Sequence, residues 1–274
     1  MNTAPNRLLP LGLAALMTIA SPALAQQDPF DDPVQADVLQ GWDLPDGRRL
    51  AAVRLTLDPG WKTYWRAPGD AGIPPHFDWS RARNLSAVSI SWPTPHVYED
   101  NGMQSIGYKG QVVIPMYLTP DNPAKPVRLR TKMSLGVCAD VCMPHQIDID
   151  TMLDAPDLSP TPAIVAALAD TPYASDEAGV TSATCRLSPT ENGMRIEARV
   201  TLPHTGGREV AVIETGTKGL WISEARTTRS GDTVTAISDM VHMEGGAFGI
   251  DRSAVRITIF GGDYAVDVQG CTAG

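Results

Sequence analysis

Residues 136–150, which read GVCADVCMPHQIDID, decide the fold class of this chain. After the second cysteine, Ile147 and Ile149 alternate with polar neighbours, and this period of two is typical of a β-strand. Apolar side chains alternate in the same way over 127–133, before the first cysteine. The pattern therefore predicts that the two cysteines lie among strands and do not open a helix.

Short alternating runs of this kind recur through most of the chain. Further strands are predicted at 53–57, 88–92, 194–200 and 255–259, and turn-forming clusters stand at 44–47, 58–60 and 67–70. Closely spaced strands and turns favour sandwiches over helical bundles. We therefore expect an all-β chain with two β-sandwich domains, one at 30–155 and the other at 178–274.

The segment between these domains has a different composition. Residues 156–177 contain four of the chain's prolines around the apolar run 163–168. Thr161 is a possible N-cap, and Pro162 suits the first position of a helix. The sequence predicts a proline-rich linker that contains one short helix.

Charge and hydropathy argue against nucleic acid as a partner and against a membrane span in the mature chain. The 274 residues carry a formal charge of -9, which would repel a nucleic acid backbone. No apolar run is long enough for a membrane span in the mature chain.

Residues 1–25 combine Arg7, the apolar run 8–20 and the small residues Ala23 and Ala25, which is the pattern of a cleaved signal peptide. We expect export to an oxidising compartment.

Four cysteines in an exported chain predict two disulfides, and the spacing favours a local pair and an end-to-end pair. In the chain-entropy model, closing the short loop from Cys138 to Cys142 is worth about 2 kcal/mol, whereas the long loop from Cys185 to Cys271 is worth about 4.6 kcal/mol. The long bridge can hold a domain together, while the short one stabilises little. Short, exposed disulfides are often the reactive ones, although a structural role for the short pair is the alternative interpretation.

The charges beside the short pair oppose one another. Asp140 would disfavour a thiolate, whereas a protonated His145 would favour one. The sequence does not decide the net effect on the cysteine pKa.

Two families of exported proteins carry cysteines at this spacing. Sco-type copper chaperones have a similar Cys-x-x-x-Cys-Pro motif at the start of a helix in a thioredoxin fold. The alternation after Cys142 predicts a strand instead, and the chain lacks the βαβ units of that fold.

The second family matches several blocks in order. The segments 60–66, 92–100, 107–115 and 138–144 together make residues 30–155 resemble the N-terminal domain of the thiol:disulfide interchange protein DsbD. With the second β-domain, the chain is similar to the longer, two-domain form of the copper-tolerance protein ScsB. The resemblance implies immunoglobulin-like sandwiches and an electron-transferring thiol:disulfide oxidoreductase of the periplasm, which works without a cofactor. It also implies two partners, which are a membrane-embedded thiol reductase and exported thioredoxin-like or oxidised substrate proteins.

The resemblance also assigns site residues. Cys138 and Cys142 correspond to the redox-active pair, with Cys142 forming the mixed disulfide, and Tyr64 matches an aromatic position beside them. The loop from Tyr98 to Gly107 matches a cap loop that shields the pair. Its supporting residues here are Tyr98, Glu99, Asp100 and Met103, and Asn101 replaces the family's phenylalanine at the tip. Cys185 and Cys271 would form a structural disulfide.

A binding function without turnover is the alternative hypothesis. Soft sulfur and imidazole ligands suit Cu(I), and such side chains occur at Met143, His145, Met240, His242 and Met243. Because methionine in a β-core usually only fills space, we predict no metal site. A module that holds Cu(I) or an exported partner is the competing interpretation.

Overall fold

The computed structural model describes residue 1 and residues 32–69, 72–100, 102–154 and 159–274, with the side chain of Asp100 left out. The predicted signal peptide, apart from Met1, and Asn101 lie outside the described residues. Residues Pro33–Gly274 form one compact unit.

The first sandwich consists of two antiparallel sheets that face each other. One sheet has the order β1-β2-β8-β5, and the other has the order β10-β9-β3-β7-β6 with β4 paired to β9. Alternating side chains from both sheets, such as Val53, Ile114, Leu129 and Met133, fill the core between them. The strands are β1 (Val34–Asp43), β2 (Arg49–Leu57), β3 (Lys62–Gly69), β4 (His76–Asp78), β5 (Ala87–Ile90), β6 (His96–Asp100), β7 (Met103–Lys109), β8 (Gln111–Thr119), β9 (Val127–Cys138) and β10 (Cys142–Leu153).

The second sandwich also has two facing sheets and its own core, but it includes two parallel strand pairs. Its sheets have the orders β11-β19-β18-β14 and β15-β17-β13-β12-β20, and β16 also pairs with β17. Ile196, Val200 and Ile257 are fully buried between the sheets. The strands are β11 (Tyr173–Ala174), β12 (Ser182–Thr190), β13 (Gly193–Thr201), β14 (Val210–Glu214), β15 (Leu220–Ile222), β16 (Arg226–Ser230), β17 (Thr233–His242), β18 (Arg256–Phe260), β19 (Ala265–Gln269) and β20 (Thr272–Ala273). The all-β, immunoglobulin-like class is confirmed.

One helix, α1 (Pro162–Ala169), lies in the segment predicted as the linker. Thr161 is its N-cap residue, but its hydroxyl donates to the Gln40 carbonyl at 2.7 Å and makes no cap bond. Ile164 packs on Leu50 and Ala52, on the outer face of the first sandwich. Because strand side chains alternate between faces, β2 buries one set in the core and the other under this helix. Nearby β11 joins a sheet of the second sandwich, and the domain boundaries themselves stay a prediction.

The structure differs from the sequence-based prediction at three places. The turn predicted at 67–70 is wrong for residues 67–69, because β3 continues to Gly69 through an irregular register that lets Pro68 avoid a ladder hydrogen bond. Strand β5 ends at Ile90, before the predicted Trp92. Two further strands follow the last predicted one at 255–259, and the second of them, β20, comes directly after Cys271 and pairs with β12.

The two sandwiches share apolar and charged contacts. Phe260 of the second sandwich belongs to the first core, where its ring meets Trp65 edge-on at a centroid distance of 5.3 Å. Beside it, Arg66 Nη2 lies 3.0 Å from Glu214 Oε2 and donates to Thr258. Burial lowers the pKa of Arg66, while the Glu214 carboxylate opposes that shift. Among the residues that the structure describes, no helix is both long enough and apolar enough to cross a bilayer.

Candidate functional site

The cysteine pair closes the end of a long β-hairpin. Strands β9 and β10 are in register over 12 residue pairs from Val127 opposite Leu153 to Cys138 opposite Cys142. This register places the last pair directly across the ladder, with a Cα–Cα distance of 4.0 Å and a disulfide between the sulfurs. The three loop residues 139–141 that join the strands are all exposed. The bridge therefore stands at the tip of the hairpin, next to solvent.

The two cysteines of this bridge differ in exposure. Cys138 is 5% exposed and belongs to the buried end of β9, whereas Cys142 is exposed. An attacking thiolate must approach the sulfur that it attacks. The structure thus presents Cys142 to an incoming partner and holds Cys138 behind it.

Tyr64 on β3 contacts the exposed cysteine. Its hydroxyl donates to Cys142 Sγ at 3.3 Å, although the rest of the side chain is buried. Gly136 makes this position possible, since a Cβ there would lie 2.8 Å from the Tyr64 ring. The predicted aromatic neighbour is therefore in direct contact with the pair.

Lys62, two residues earlier on β3, lies beside the buried cysteine. It is the register partner of Cys138, and it is only 9% exposed. Its Nζ donates to Ser105 Oγ at 3.0 Å and lies 5.5 Å from the centre of the Tyr98 ring. An ammonium group near a sulfur favours the thiolate form.

These residues line one groove of about 630 Å³ beside the disulfide. It contains Cys138 and Cys142 together with Tyr64, Lys62 and Met103. The exposed Lys109 also lines it, with Nζ 4.5 Å from the Tyr98 ring centre. The groove is an open cleft that a partner side chain can enter.

The predicted cap loop is a β-hairpin formed by β6 and β7. Tyr98 is half-buried, which raises its pKa, and it reaches the site through the two lysines. Met103, at the tip, lines the groove and is 52% exposed. Glu99 points elsewhere, since its carboxylate accepts a hydrogen bond from Arg208 in the second sandwich. Asp100 pairs with Met103 in the backbone ladder, and its side chain is outside the described set.

The two charged residues considered from the sequence lie on different sides of the pair. Asp140 is in the exposed loop and lines the groove. His145 lies opposite Leu135 on β10, and its odd spacing from Cys142 sends its side chain to the other face of the sheet. Asp140 therefore borders the groove, whereas His145 lies on the other face of the sheet.

The second bridge joins Cys185 to Cys271 across 86 positions, with a Cα–Cα distance of 5.7 Å. Cys185 is fully buried in the second core, and Cys271 packs against that core. This bridge links β12 to the segment between β19 and β20. That segment is distant from β12 in the sequence.

The candidate copper ligands do not form one cluster. Met240 is fully buried in the second core, whereas Met243 is 74% exposed. Met143 packs against the first core. Within the described part of the chain, no three His, Cys, Asp or Glu side chains are grouped so that they could hold a metal ion.

Sequence reasoning did not identify Lys62 and Ser105 as site residues. The signal for Lys62 was present, because Lys62 and Tyr64 are two apart in a strand and must share a face. The neighbourhood of Ser105 depends on the pairing of β3 with β7, which no local pattern shows.

Comparisons with known proteins agree with this geometry. Residues 31–154 match the family model for the N-terminal part of the thiol:disulfide interchange protein DsbD. The crystal structure of the N-terminal periplasmic domain of ScsB from Proteus mirabilis is similar, with a TM-score of 0.65 and 22% identity over 91% of this chain and 97% of that chain. That likeness establishes the fold of both sandwiches. No curated protein sequence gives a significant match. The segment 31–154, and with it the first sandwich, belongs to the DsbD N-terminal family.

Proposed function

We propose that this chain is a periplasmic thiol:disulfide interchange module whose Cys138–Cys142 pair alternates between disulfide and dithiol. The observation that carries the proposal is the difference in solvent exposure between the two cysteines of one bridge. Cys142 is exposed, and Cys138 is buried behind it. A structural staple has no need for an open groove beside an exposed sulfur.

The exchange has two balanced steps. A partner thiolate attacks Cys142 Sγ, the bond between the two sulfurs breaks, and Cys138 leaves as a thiolate while a mixed disulfide forms. A second partner thiolate then attacks the partner's sulfur of the mixed disulfide and releases Cys142. The pair has gained two electrons, and it takes up two protons when both thiolates are protonated. The reverse sequence reduces a disulfide in a substrate protein.

The groove residues support these steps. The Lys62 ammonium stabilises the negative charge that develops on Cys138 as it leaves. The Tyr64 hydroxyl, 3.3 Å from Cys142 Sγ, donates to the thiolate that forms there. Ser105 accepts a hydrogen bond from Lys62 and holds the ammonium in place.

The surface around the pair is suited to a protein partner. Met103 and Val141, which flank the bridge, are 52% and 67% exposed. Exposed large apolar side chains beside a reactive group favour transient protein contacts. We propose a membrane-embedded thiol reductase as the electron donor and exported thioredoxin-like or oxidised proteins as acceptors. The separation of the candidate copper ligands does not favour the Cu(I)-binding alternative.

Differential reduction tests the proposal. The folded, oxidised protein is treated with a limiting thiol reductant, new thiols are alkylated, and each bridge is quantified by peptide mass spectrometry. We expect Cys138–Cys142 to open at least about tenfold faster than Cys185–Cys271, because exposure controls attack. Equal resistance of both bridges would exclude a redox function.

Single-cysteine variants identify the attacked sulfur. The Cys138→Ser variant keeps the exposed thiol and should attack a thioredoxin-like protein whose single active-site cysteine is pre-activated as a mixed disulfide with thionitrobenzoate. Thionitrobenzoate then leaves as the thiolate, and a stable mixed disulfide forms between the two proteins. The matched Cys142→Ser variant keeps only the buried thiol and should form little. More adduct with Cys142→Ser than with Cys138→Ser would contradict the assignment.

A further inference from the structure

The β6–β7 hairpin has two faces that meet different parts of the molecule. Cross-strand partners lie on the same face of a sheet. Tyr98 pairs with Ser105, and this face carries the contacts to Lys62 in the cysteine groove. Glu99 pairs with Gln104, and Val97 with Ile106, on the opposite face.

That opposite face is directed at the second sandwich. The Glu99 carboxylate accepts a hydrogen bond from Arg208, and the Gln104 amide donates to the Glu224 carboxylate. Glu99 and Gln104 are cross-strand partners, so both polar links hold one rung of the hairpin.

Apolar side chains on this face also line clefts between the sandwiches. Val97 lines one cleft with Val210 and Phe260. Ile106 lines another, of about 460 Å³, with Leu220 and other residues of the second sandwich. Gln104 lines both that cleft and the cysteine groove. The hairpin is therefore a wall common to the groove and the interface.

We propose that the second sandwich acts as a brace, in which Arg208 and Glu224 hold the β6–β7 hairpin over the cysteine groove and so limit access to Cys138–Cys142. This inference rests on the proposed redox function and adds a regulatory role for the second sandwich. Arg208 and Glu224 are positioning residues, because they contact the hairpin and not the sulfurs. Without these links the hairpin would be less restrained, and any movement that takes Met103 off the groove would expose the bridge.

The test uses the full chain with both positioning side chains removed. The Arg208→Ala/Glu224→Ala variant loses one positive and one negative charge, so the net charge is unchanged. We expect reduction of Cys138–Cys142 by excess dithiothreitol to accelerate about threefold to tenfold, as the loss of hydrogen bonds to charged groups implies. Amide hydrogen exchange of peptides covering 96–107 should accelerate as well.

A charge-neutral control separates this effect from a general one. The Arg186→Ala/Glu197→Ala variant removes a salt bridge of 2.6 Å between β12 and β13. Neither residue lines the cysteine groove or the two clefts between the sandwiches. It should leave the reduction rate and the hairpin exchange as in the parent protein. An unchanged or slower reduction in the Arg208→Ala/Glu224→Ala variant would overturn the brace, even if hairpin exchange increases.

The brace and the redox function fail in different ways. The brace is judged by the ratio between variant and parent rates for one bridge. The redox function is judged by the ratio between the two bridges in the parent protein. A parent protein whose bridges resist equally removes both, whereas an unchanged ratio for the variant removes only the brace.

Discussion

The two disulfides of this chain lie in opposite environments. Cys138–Cys142 closes an exposed hairpin tip after only four positions, next to a groove lined by Lys62 and Tyr64. Cys185–Cys271 spans 86 positions, and Cys185 is fully buried in the second core. The first bridge has little effect on the entropy of the unfolded chain and is accessible, while the second constrains a long loop and is shielded.

The two sandwiches have similar architectures, so the sandwich fold alone does not explain why their disulfides lie in different environments. Both sandwiches have apolar cores between mainly antiparallel sheets. The proposed roles differ because one bridge joins cross-strand partners of a hairpin, whereas the other joins β12 to a segment that is distant in sequence.

The largest expected effect is on stability. Replacing Cys185 and Cys271 with Ala should lower the free energy of unfolding by about 4 to 5 kcal/mol, whereas the matched change at Cys138 and Cys142 should cost about 2 kcal/mol or less. Urea unfolding followed by circular dichroism measures both. Equal losses would show that the short bridge is structural too.

The second effect is on the pH dependence of the free energy of unfolding, through the carboxyl of Glu209. Burial alone would raise the pKa of Glu209, but hydrogen bonds from Arg229 and Thr205 outweigh it and lower the pKa from 4.5 to about 2. A carboxyl whose folded pKa is depressed stabilises the fold above its unfolded pKa, and this contribution is lost as the pH falls below 4.5 and through the folded pKa of about 2. After allowance for solvent screening, Glu209→Gln should cost about 1 to 2 kcal/mol at neutral pH, and most of this cost should be gone by about pH 2.

Unfolding curves at several pH values check this prediction. Asp46→Asn is the control in the first sandwich, because the Asp46 carboxyl is half exposed beside Arg48. The control should show a much flatter pH dependence. A constant loss for Glu209→Gln across the acid range would contradict the assignment.

The third effect tests the buried ammonium. Lys62→Met removes the positive charge beside Cys138, so it should raise the pKa of that thiol in the reduced protein and slow opening of the bridge about fivefold, or ~1 kcal/mol. Lys109→Met is the matched control, because Lys109 lines the same groove but is exposed, and water screens its charge. Thiolate absorbance against pH and the reduction rate measure the effect. An equal effect of both substitutions would remove the special role of Lys62.

The smallest effect tests the hydroxyl of Tyr64. Tyr64→Phe deletes the bond to Cys142 Sγ and should shift the thiol:disulfide equilibrium toward the disulfide about threefold, because the reduced thiolate loses a donor. Equilibration with glutathione measures the shift. Tyr108→Phe is the control. The Tyr108 hydroxyl donates to the Pro93 carbonyl at 2.7 Å and not to a sulfur. It should alter stability without moving the equilibrium.

Much of the fold could be predicted because strands carry a local signal. The alternation at 127–133 and 146–150 predicted strands that the structure contains in β9 and β10. The run 67–69 was misread because proline and glycine favour turns, and only pairing with β7 keeps these residues in an irregular strand. The predicted acidic cap residue Glu99 was placed in the right hairpin, but its partner Arg208 is 109 residues away.

The sequence by itself determined several of the strands, where the helix begins and which cysteines are close enough for a local bridge, because these properties depend on periods of two and on short spacings. The tertiary structure alone decided which cysteine faces solvent, that Lys62 lies beside Cys138, and that the second sandwich holds the β6–β7 hairpin. These relations depend on sheet register and on the packing of two sandwiches. Contacts of that kind join residues far apart in the chain, and no local pattern encodes them.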